Sequence, residues 1–249
     1  MDEKWSFVFK KRGRCSGKEL EQERVGDCWD HIAFDPEHRL VLGVVPGRRS
    51  QGHIHKLVQR VKEQLQGRVP RLISTDGFSG YAQVFQQVFG VMLRPPRPNG
   101  RKQPAPRRLL PPQLTHAMVQ KVIEGGRVTE VKRELAIGSR QKLQAALKAS
   151  SVSTKVNTSF LERHNATDRH RNARKSRRSY RFSKDWQVHA AAGYFVLYSY
   201  NFCWAVHSLR LQREDGTYRP HTPAMAAGLT HHVWTIGQWL RYPAKTDSG

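Results

Sequence analysis

From Lys4 to Lys10 the chain alternates polar and aromatic or β-branched positions through Trp5, Phe7 and Phe9, a period of two that predicts a strand. The acidic pair Asp2-Glu3 stands at its head. Residues 11–27 are charged and glycine-containing and predict an extended hairpin loop. Trp29 to Phe34 and Leu40 to Val45 predict two further strands, joined by the turn residues Asp35-Pro36-Glu37. After Ser50, a cap residue, Ile54, Leu57, Val58, Val61 and Leu65 recur on one stripe, predicting a helix to about Gln66 that Gly67 ends. Pro70 to Thr75 predicts a short strand running into Asp76-Gly77, and Tyr81 to Phe89 a shorter helix.

Residues 94–112 break this rhythm, with seven prolines, six Lys/Arg and no acid, and read as a basic loop or extended arm. Met118 to Glu124 and Arg127 to Ile137 flank Gly125-Gly126 as a β-hairpin. A helix over Arg140 to Ala149 and a strand over Val152 to Asn157 follow. Two helices then complete the core, one from Thr158 or Ser159 to about Arg178 and one from Asp185 to about Leu209. Trp186 to Val206 has no Asp, Glu, Lys or Arg and is long enough to cross a bilayer. Its Gln187, His189, Ser199 and Asn201 instead predict a buried helix of a soluble domain, with no membrane partner. Residues 211–249 read as a peripheral C-terminal tail.

Composition adds a partner class. The 249 residues carry a formal net charge of +23, from 43 Lys+Arg against 20 Asp+Glu. Such an excess opposes compaction unless an acidic partner neutralises it, and nucleic acid is the commonest one. Six Trp, seven Tyr and ten Phe are too many for a disordered chain. Three cysteines, Cys15, Cys28 and Cys203, with no CxxC pair, form neither a disulfide framework nor a zinc signature and point to a reduced, intracellular compartment.

Three acids occupy places where a carboxylate can face a cleft: Asp2 heads the first strand, Asp76 ends the fourth, and Glu162 opens a helix. Converging carboxylates raise one another's pKa and commonly hold hard cations. Spacing alone leaves the alternative open, with Asp76 a turn residue and Glu162 an acid favoured by the helix dipole.

The strings around these acids carry more. Asp2-Glu3-Lys4-Trp5-Ser6-Phe7-Val8, Thr75-Asp76-Gly77-Phe78 and Leu161-Glu162-Arg163-His164-Asn165 resemble DDE-type insertion-sequence transposases, nearest to the insertion-sequence-one family. Arg181-Phe182-Ser183-Lys184, Tyr200-Asn201-Phe202 and Thr222-Pro223-Ala224-Met225-Ala226 extend the likeness over nearly the whole chain. The resemblance implies an α/β fold with an RNase H-like mixed β-sheet flanked by helices. Residues 1–210 would form the catalytic domain, with 94–140 a basic arm and β-hairpin insertion. It implies that Asp2, Asp76 and Glu162 are catalytic and hold two Mg²⁺ (or Mn²⁺) ions for DNA cleavage and strand transfer by in-line phosphoryl transfer. The implied partners are double-stranded DNA, as element ends and target, and further copies of the chain in a homo-oligomer. The implied location is cytoplasmic, on the nucleoid.

Two departures accompany the likeness. The family's recognition region before the catalytic domain is missing, since Met1 directly precedes Asp2, so an N-terminally truncated chain is expected. In addition, 85 residues separate Asp76 from Glu162, more than in the shortest members.

From Arg163 to Arg181 the chain carries eight Lys/Arg against one acid, Asp168, which predicts DNA phosphate contact. The expected contact residues are Arg163, His164, Asn165, Arg169, Arg171, Arg174, Lys175, Arg177 and Arg178, joined by Arg94, Arg97, Arg101 and Lys102 of the arm. The alternatives are a non-catalytic basic DNA-binding remnant and an RNase H-like nuclease acting on RNA or hybrids.

Overall fold

A computed structural model describes residues 1–21, 24–95, 105–176 and 180–243. Its elements follow in the order β1 (Asp2–Val8), α1 (Gly17–Glu21), β2 (Gly26–Asp35), β3 (Leu40–Gly47), α2 (Gln51–Gln64), β4 (Leu72–Asp76), α3 (Gly80–Phe89), β5 (Val91–Leu93) and β6 (Arg107–Leu109). Then come β7 (Thr115–Glu124), β8 (Arg127–Ile137), α4 (Arg140–Ala149), α5 (Ser159–Arg171), α6 (Trp186–Cys203), β9 (Leu211–Gln212), β10 (Tyr218–Arg219), α7 (Pro223–Ala226) and α8 (Ile236–Arg241). This is a mixed α/β chain. It divides into one unit of residues 1–5, 28–33 and 42–163, and a second of residues 6–27, 34–41 and 164–249.

The first unit is built on the predicted stripe of α2. Ile54, Leu57, Val58 and Val61 are all buried: Ile54 and Val58 meet Tyr81, Val84, Phe85, Val88 and Phe89 of α3 together with Ile73 of β4, while Leu57 and Val61 meet Ala33 of β2 and Val45 of β3. Burying each of these side chains stabilises the fold by about 1.5–3 kcal/mol. Ser50 stands at the cap of α2 in an extended conformation, but its hydroxyl bonds the His53 ring at 2.8 Å rather than the helix backbone. That ring lies against Gly47, where a Cβ would come within 2.0 Å of it, so the end of β3 is open only to glycine.

Strands β1, β2 and β3 form one sheet in chain order. A second sheet runs β4-β7-β8, with β4 parallel to β7 and β7 antiparallel to β8, so it is mixed. The hairpin expected around Gly125-Gly126 is present, and both glycines have positive φ (57° and 79°), as a tight primed turn requires. Its first arm starts earlier than the pattern indicated, at Thr115, and pairs with β4 along that strand's whole length, from Leu72↔Thr115 to Asp76↔Val119. Ala117 and Val119 bury one face of β7 with Val156, against Leu143 and Leu147 of α4.

Several elements differ from expectation. No strand forms over 152–157, because Ser153 and Asn157 bond Lys155 and each other locally and take the backbone groups a ladder would use. Residues 11–27 are not simply extended. Glu19 holds the start of α1, its carboxylate accepting from both the Ser16 amide (2.8 Å) and the Ser16 hydroxyl (2.9 Å). At the foot of the basic arm, β5 and β6 pair antiparallel in a three-residue ribbon. Residues 96–104 of the arm lie outside the described residues.

In the second unit, α5 stops at Arg171 instead of running on to residue 178. Asn172 then caps a short 3-10 turn over Ala173–Lys175 by accepting from the Arg174 amide at 3.2 Å. Asp185 caps α6 by accepting from the Val188 amide (2.8 Å), and the helix ends at Cys203, six residues short of Leu209. Asn201 of α6 bonds both the amide and the carbonyl of Val41 at 2.9 Å. No described helix is long and apolar enough to cross a membrane. The stretch expected to form a peripheral tail carries the β9-β10 ribbon, α7 and α8, the last begun by a capping box between Thr235 and Gln238.

Candidate active site

Strand β4 sets Asp76 by its alternation. Ile73 and Thr75 turn into the core, while Leu72, Ser74 and Asp76 share the half-buried face. The chain leaves the strand at Gly77, and the Phe78 amide donates to Asp76 Oδ1 at 3.2 Å, fixing the carboxyl at the strand end. The Met1 nitrogen donates to the Ser74 carbonyl at 2.6 Å, so β1 starts beside β4. Asp2 and Glu3, adjacent in β1, point to opposite faces.

Glu3 is buried and densely held. Tyr81 of α3 donates its hydroxyl to Oε1 at 2.5 Å, and Arg49 donates to Oε2 through Nε (3.2 Å) and Nη2 (3.0 Å). His31 Nδ1 lies 3.9 Å from Oε1. Burial alone would raise the Glu3 pKa, but the nearby His31 ring and the hydrogen bonds from Tyr81 and Arg49 overcome it and hold the group below its ordinary value. The same Arg49 Nη2 reaches Asp76 Oδ2 at 3.2 Å. Its guanidinium lies over the Trp29 ring (5.0 Å) and the Phe78 ring (4.8 Å), both within cation–π range.

Asp76 is pushed up to about 6, first by burial and then by the negative charges of Glu3 and Asp2; the Phe78 amide and Arg49 oppose the rise. Asp2 is raised as well, by burial and by the charges of Glu3 and Glu162, against the pull of the Met1 amine and the Glu3 amide. Glu162, at the start of α5, has the opposite balance. Burial would raise it, but Lys121 of β7 places its ammonium 2.6 Å and 2.5 Å from the two carboxylate oxygens, Thr158 donates to Oε1 at 2.5 Å, and the pKa falls below its ordinary value. Asp2 thus feels the charge of Glu162, and Asp76 feels that of Asp2.

These carboxylates are hard oxygen donors, and the strain in Asp2 and Asp76 comes partly from unrelieved negative charge. The donor chemistry is of the kind Mg²⁺ or Mn²⁺ takes, but among the described residues Asp2, Asp76 and Glu162 do not form a group whose ligand atoms all lie within 4.8 Å of one another. Arg49 and Lys121 supply part of the compensating charge.

The expected DNA contacts divide. Arg94, Arg163, Arg171 and Arg174 are exposed. Arg171 lays its guanidinium on the Trp204 ring (4.0 Å) and near Tyr200 (5.7 Å), and half-buried Arg169 spends a donor on the Lys175 carbonyl (3.1 Å). His164, Asn165 and Lys175 are buried, and burial removes them from direct phosphate contact, a correction to the sequence reading. His164 packs its ring between Phe34 (4.9 Å) and Tyr200 (4.7 Å). Arg97, Arg101, Lys102, Arg177 and Arg178 lie outside the described residues.

Comparison with protein families, with curated proteins and with solved structures finds no match to this chain.

Sequence reasoning missed Glu3, Arg49, Tyr81 and Lys121. Only Glu3 carried a signal, as the acid next to Asp2. The others reach the cluster through tertiary packing that no local spacing encodes.

Proposed function

We propose that this chain is the catalytic part of a DDE-type transposase, acting on double-stranded DNA with Asp2, Asp76 and Glu162 as the catalytic acids. The observation that carries the reading is that one Arg49 nitrogen joins Glu3, next to Asp2 in β1, to Asp76 at the end of β4, which sets two of the strand-borne acids side by side. The parallel β4–β7 pair and the hydrogen bond from Met1 to Ser74 support an RNase H-like arrangement of the strands that bear Asp2 and Asp76. The net charge of +23 supports a polyanionic partner.

When bound, a divalent ion would lower the pKa of a coordinated water and offset charge on the phosphoryl oxygens. The chain's own residues prepare that chemistry. Asp2, Asp76 and Glu162 supply the negative pocket. Arg49 fixes the Asp76 carboxyl from one side while the Phe78 amide fixes it from the other. Phosphate contact by exposed arginines positions the duplex without reading its sequence, in keeping with a catalytic part that leaves end recognition to another segment or partner.

A second reading, a non-catalytic DNA-binding remnant, is favoured by one feature: Lys121 and Arg49 already neutralise part of the acid cluster. A nicking assay on DNA, RNA and hybrid substrates separates the readings. Mg²⁺-dependent cleavage of DNA that Asp76→Asn abolishes, with DNA binding kept, supports the transposase. Absence of cleavage at any Mg²⁺ or Mn²⁺ level supports the remnant, and preference for RNA or hybrids supports a nuclease.

A further inference from the structure

The connection from α6 to α7 places two aromatic rings in solvent. Trp204, the residue after α6, is 42% exposed, and Tyr218 of β10 is 47% exposed. Each ring lies against a guanidinium: Arg171 Cζ stands 4.0 Å from the centre of the Trp204 ring, and Arg210 Cζ 3.8 Å from that of Tyr218. Both arginines are themselves exposed.

Behind Arg171 the stacking continues inward. Its guanidinium also lies 5.7 Å from the buried Tyr200 ring, which packs on buried His164 (4.7 Å), and His164 packs on Phe34 (4.9 Å). All five residues belong to the second unit, and Trp204 is the solvent end of their column. The backbone is pinned on both sides of it. The Trp234 amide donates to the Phe202 carbonyl at 3.0 Å, and the Val206 amide to the His221 carbonyl at 3.0 Å. A ring held in this way loses little freedom when a second flat group settles on it.

The chemistry narrows the ligand. An arginine–aromatic contact left in water adds little to stability, but it prepares a surface for a group that offers a flat π face and negative charge together. A nucleotide offers both. Exposed Arg174, Arg213 and Arg219 add positive charge to the same unit. The acids of the connection, Glu214 and Asp215, sit at the turn between β9 and β10, where Asp215 accepts from the Thr217 amide (2.8 Å) and hydroxyl (2.6 Å). In a duplex each base already stacks on its neighbours, so only an unpaired base can lie on Trp204.

Resting on the nucleic-acid partner proposed above, though not on its acids, we infer that Trp204 and Arg171 form a stacking platform for an unpaired base, and that Tyr218 on Arg210 is a second. Such a contact separates frayed or single-stranded DNA from intact duplex without reading its sequence.

Binding of the full chain to three DNAs in EDTA tests this: a blunt duplex, the same duplex with a short unpaired tail, and one whose tail keeps the phosphates but lacks the bases. The wild type should bind the base-bearing tail about tenfold more tightly than the abasic one, the effect of one stacked base. Trp204→Ala should lose most of that ratio while keeping its affinity for the blunt duplex. Trp204→Phe, which keeps a π face, should retain most of the ratio, and Tyr218→Ala should lower it. Because the phosphates are equal, the salt slopes for the two tailed DNAs should agree.

Equal binding of base-bearing and abasic tails by the wild type overturns the inference. So does a Trp204→Ala protein that melts like wild type and keeps the full ratio, or one that weakens on all three DNAs alike. Failure of the catalytic reading looks different: metal-dependent cleavage is then absent while the preference for bases, and its dependence on Trp204, persists.

Discussion

Arg49 donates to Asp76 Oδ2 across 3.2 Å with the same nitrogen that holds Glu3. The strand-end acid is thus tied to a buried carboxylate through one guanidinium, and its position depends on a residue 27 positions earlier in the chain.

Replacing Arg49 should therefore be felt at both carboxylates. Arg49→Gln leaves buried Glu3 with Tyr81 and His31 alone, and partial exposure of the arginine moderates the loss to about 2 kcal/mol of stability in urea unfolding. Arg49 also opposes the rise of Asp76, so the Asp76 titration, followed by carboxyl NMR, should move above its present value of about 6. A protein of unchanged stability would mean that Arg49 carries none of the charge of Glu3.

Asp76 itself should cost the fold stability near neutral pH. Its folded pKa of about 6 lies above the ordinary 3.8, so the folded state holds the proton more tightly than the unfolded chain between those values. Stability contributed by the protonated form is full below about pH 4 and is lost as pH rises through about 6; at 1.36 kcal/mol per unit the loss is at most about 3 kcal/mol. Asp76→Asn should therefore be more stable than wild type at pH 7.5, with the advantage fading toward pH 4. Added Mg²⁺ should narrow the gap by stabilising the wild type only. An asparagine variant less stable than wild type at pH 7.5 would contradict this electrostatic account.

Much of the frame was legible because it is local. The α2 stripe, the Gly125-Gly126 turn and the bounds of α4 follow from periodicity and turn chemistry. The placement of the acids at positions 2, 76 and 162 was legible, at a strand start, a strand end and a helix start. The site's supports were not. Tyr81 reads as one more apolar residue of α3, and Lys121 as one more charge on a hairpin, until α3 is laid on β1 and β7 beside α5. Lys175 misled for the converse reason: a basic run reads as solvated, but the break at Asn172 turns this lysine inward.

Tyr81 is the least obvious of these supports. Tyr81→Phe removes the 2.5 Å hydrogen bond to a buried, charged Glu3 and should cost about 1.5–3 kcal/mol with little change in packing. Chemical denaturation at pH 7 reads it directly. A neutral effect would mean that Glu3 is satisfied by Arg49 and His31 without the hydroxyl.

The basic segment after α5 separates into contacts and supports. Arg174→Ala should reduce the salt slope of DNA binding by about 0.9 and leave the melting temperature near that of wild type. Lys175→Ala should instead lower the melting temperature, because its side chain is only 2% exposed, and leave the slope unchanged. The reverse pattern would place Lys175 on the DNA.

The central proposal is that Asp2, Asp76 and Glu162 close on a divalent centre, and iron-directed backbone cleavage tests it most directly. With Fe²⁺ bound in place of Mg²⁺ and treated with ascorbate and peroxide, the chain should break near residues 2, 76 and 162, and excess Mg²⁺ should suppress all three cuts together. Cuts confined elsewhere, or a break at one acid that persists when the other two are changed to Asn or Gln, would contradict it.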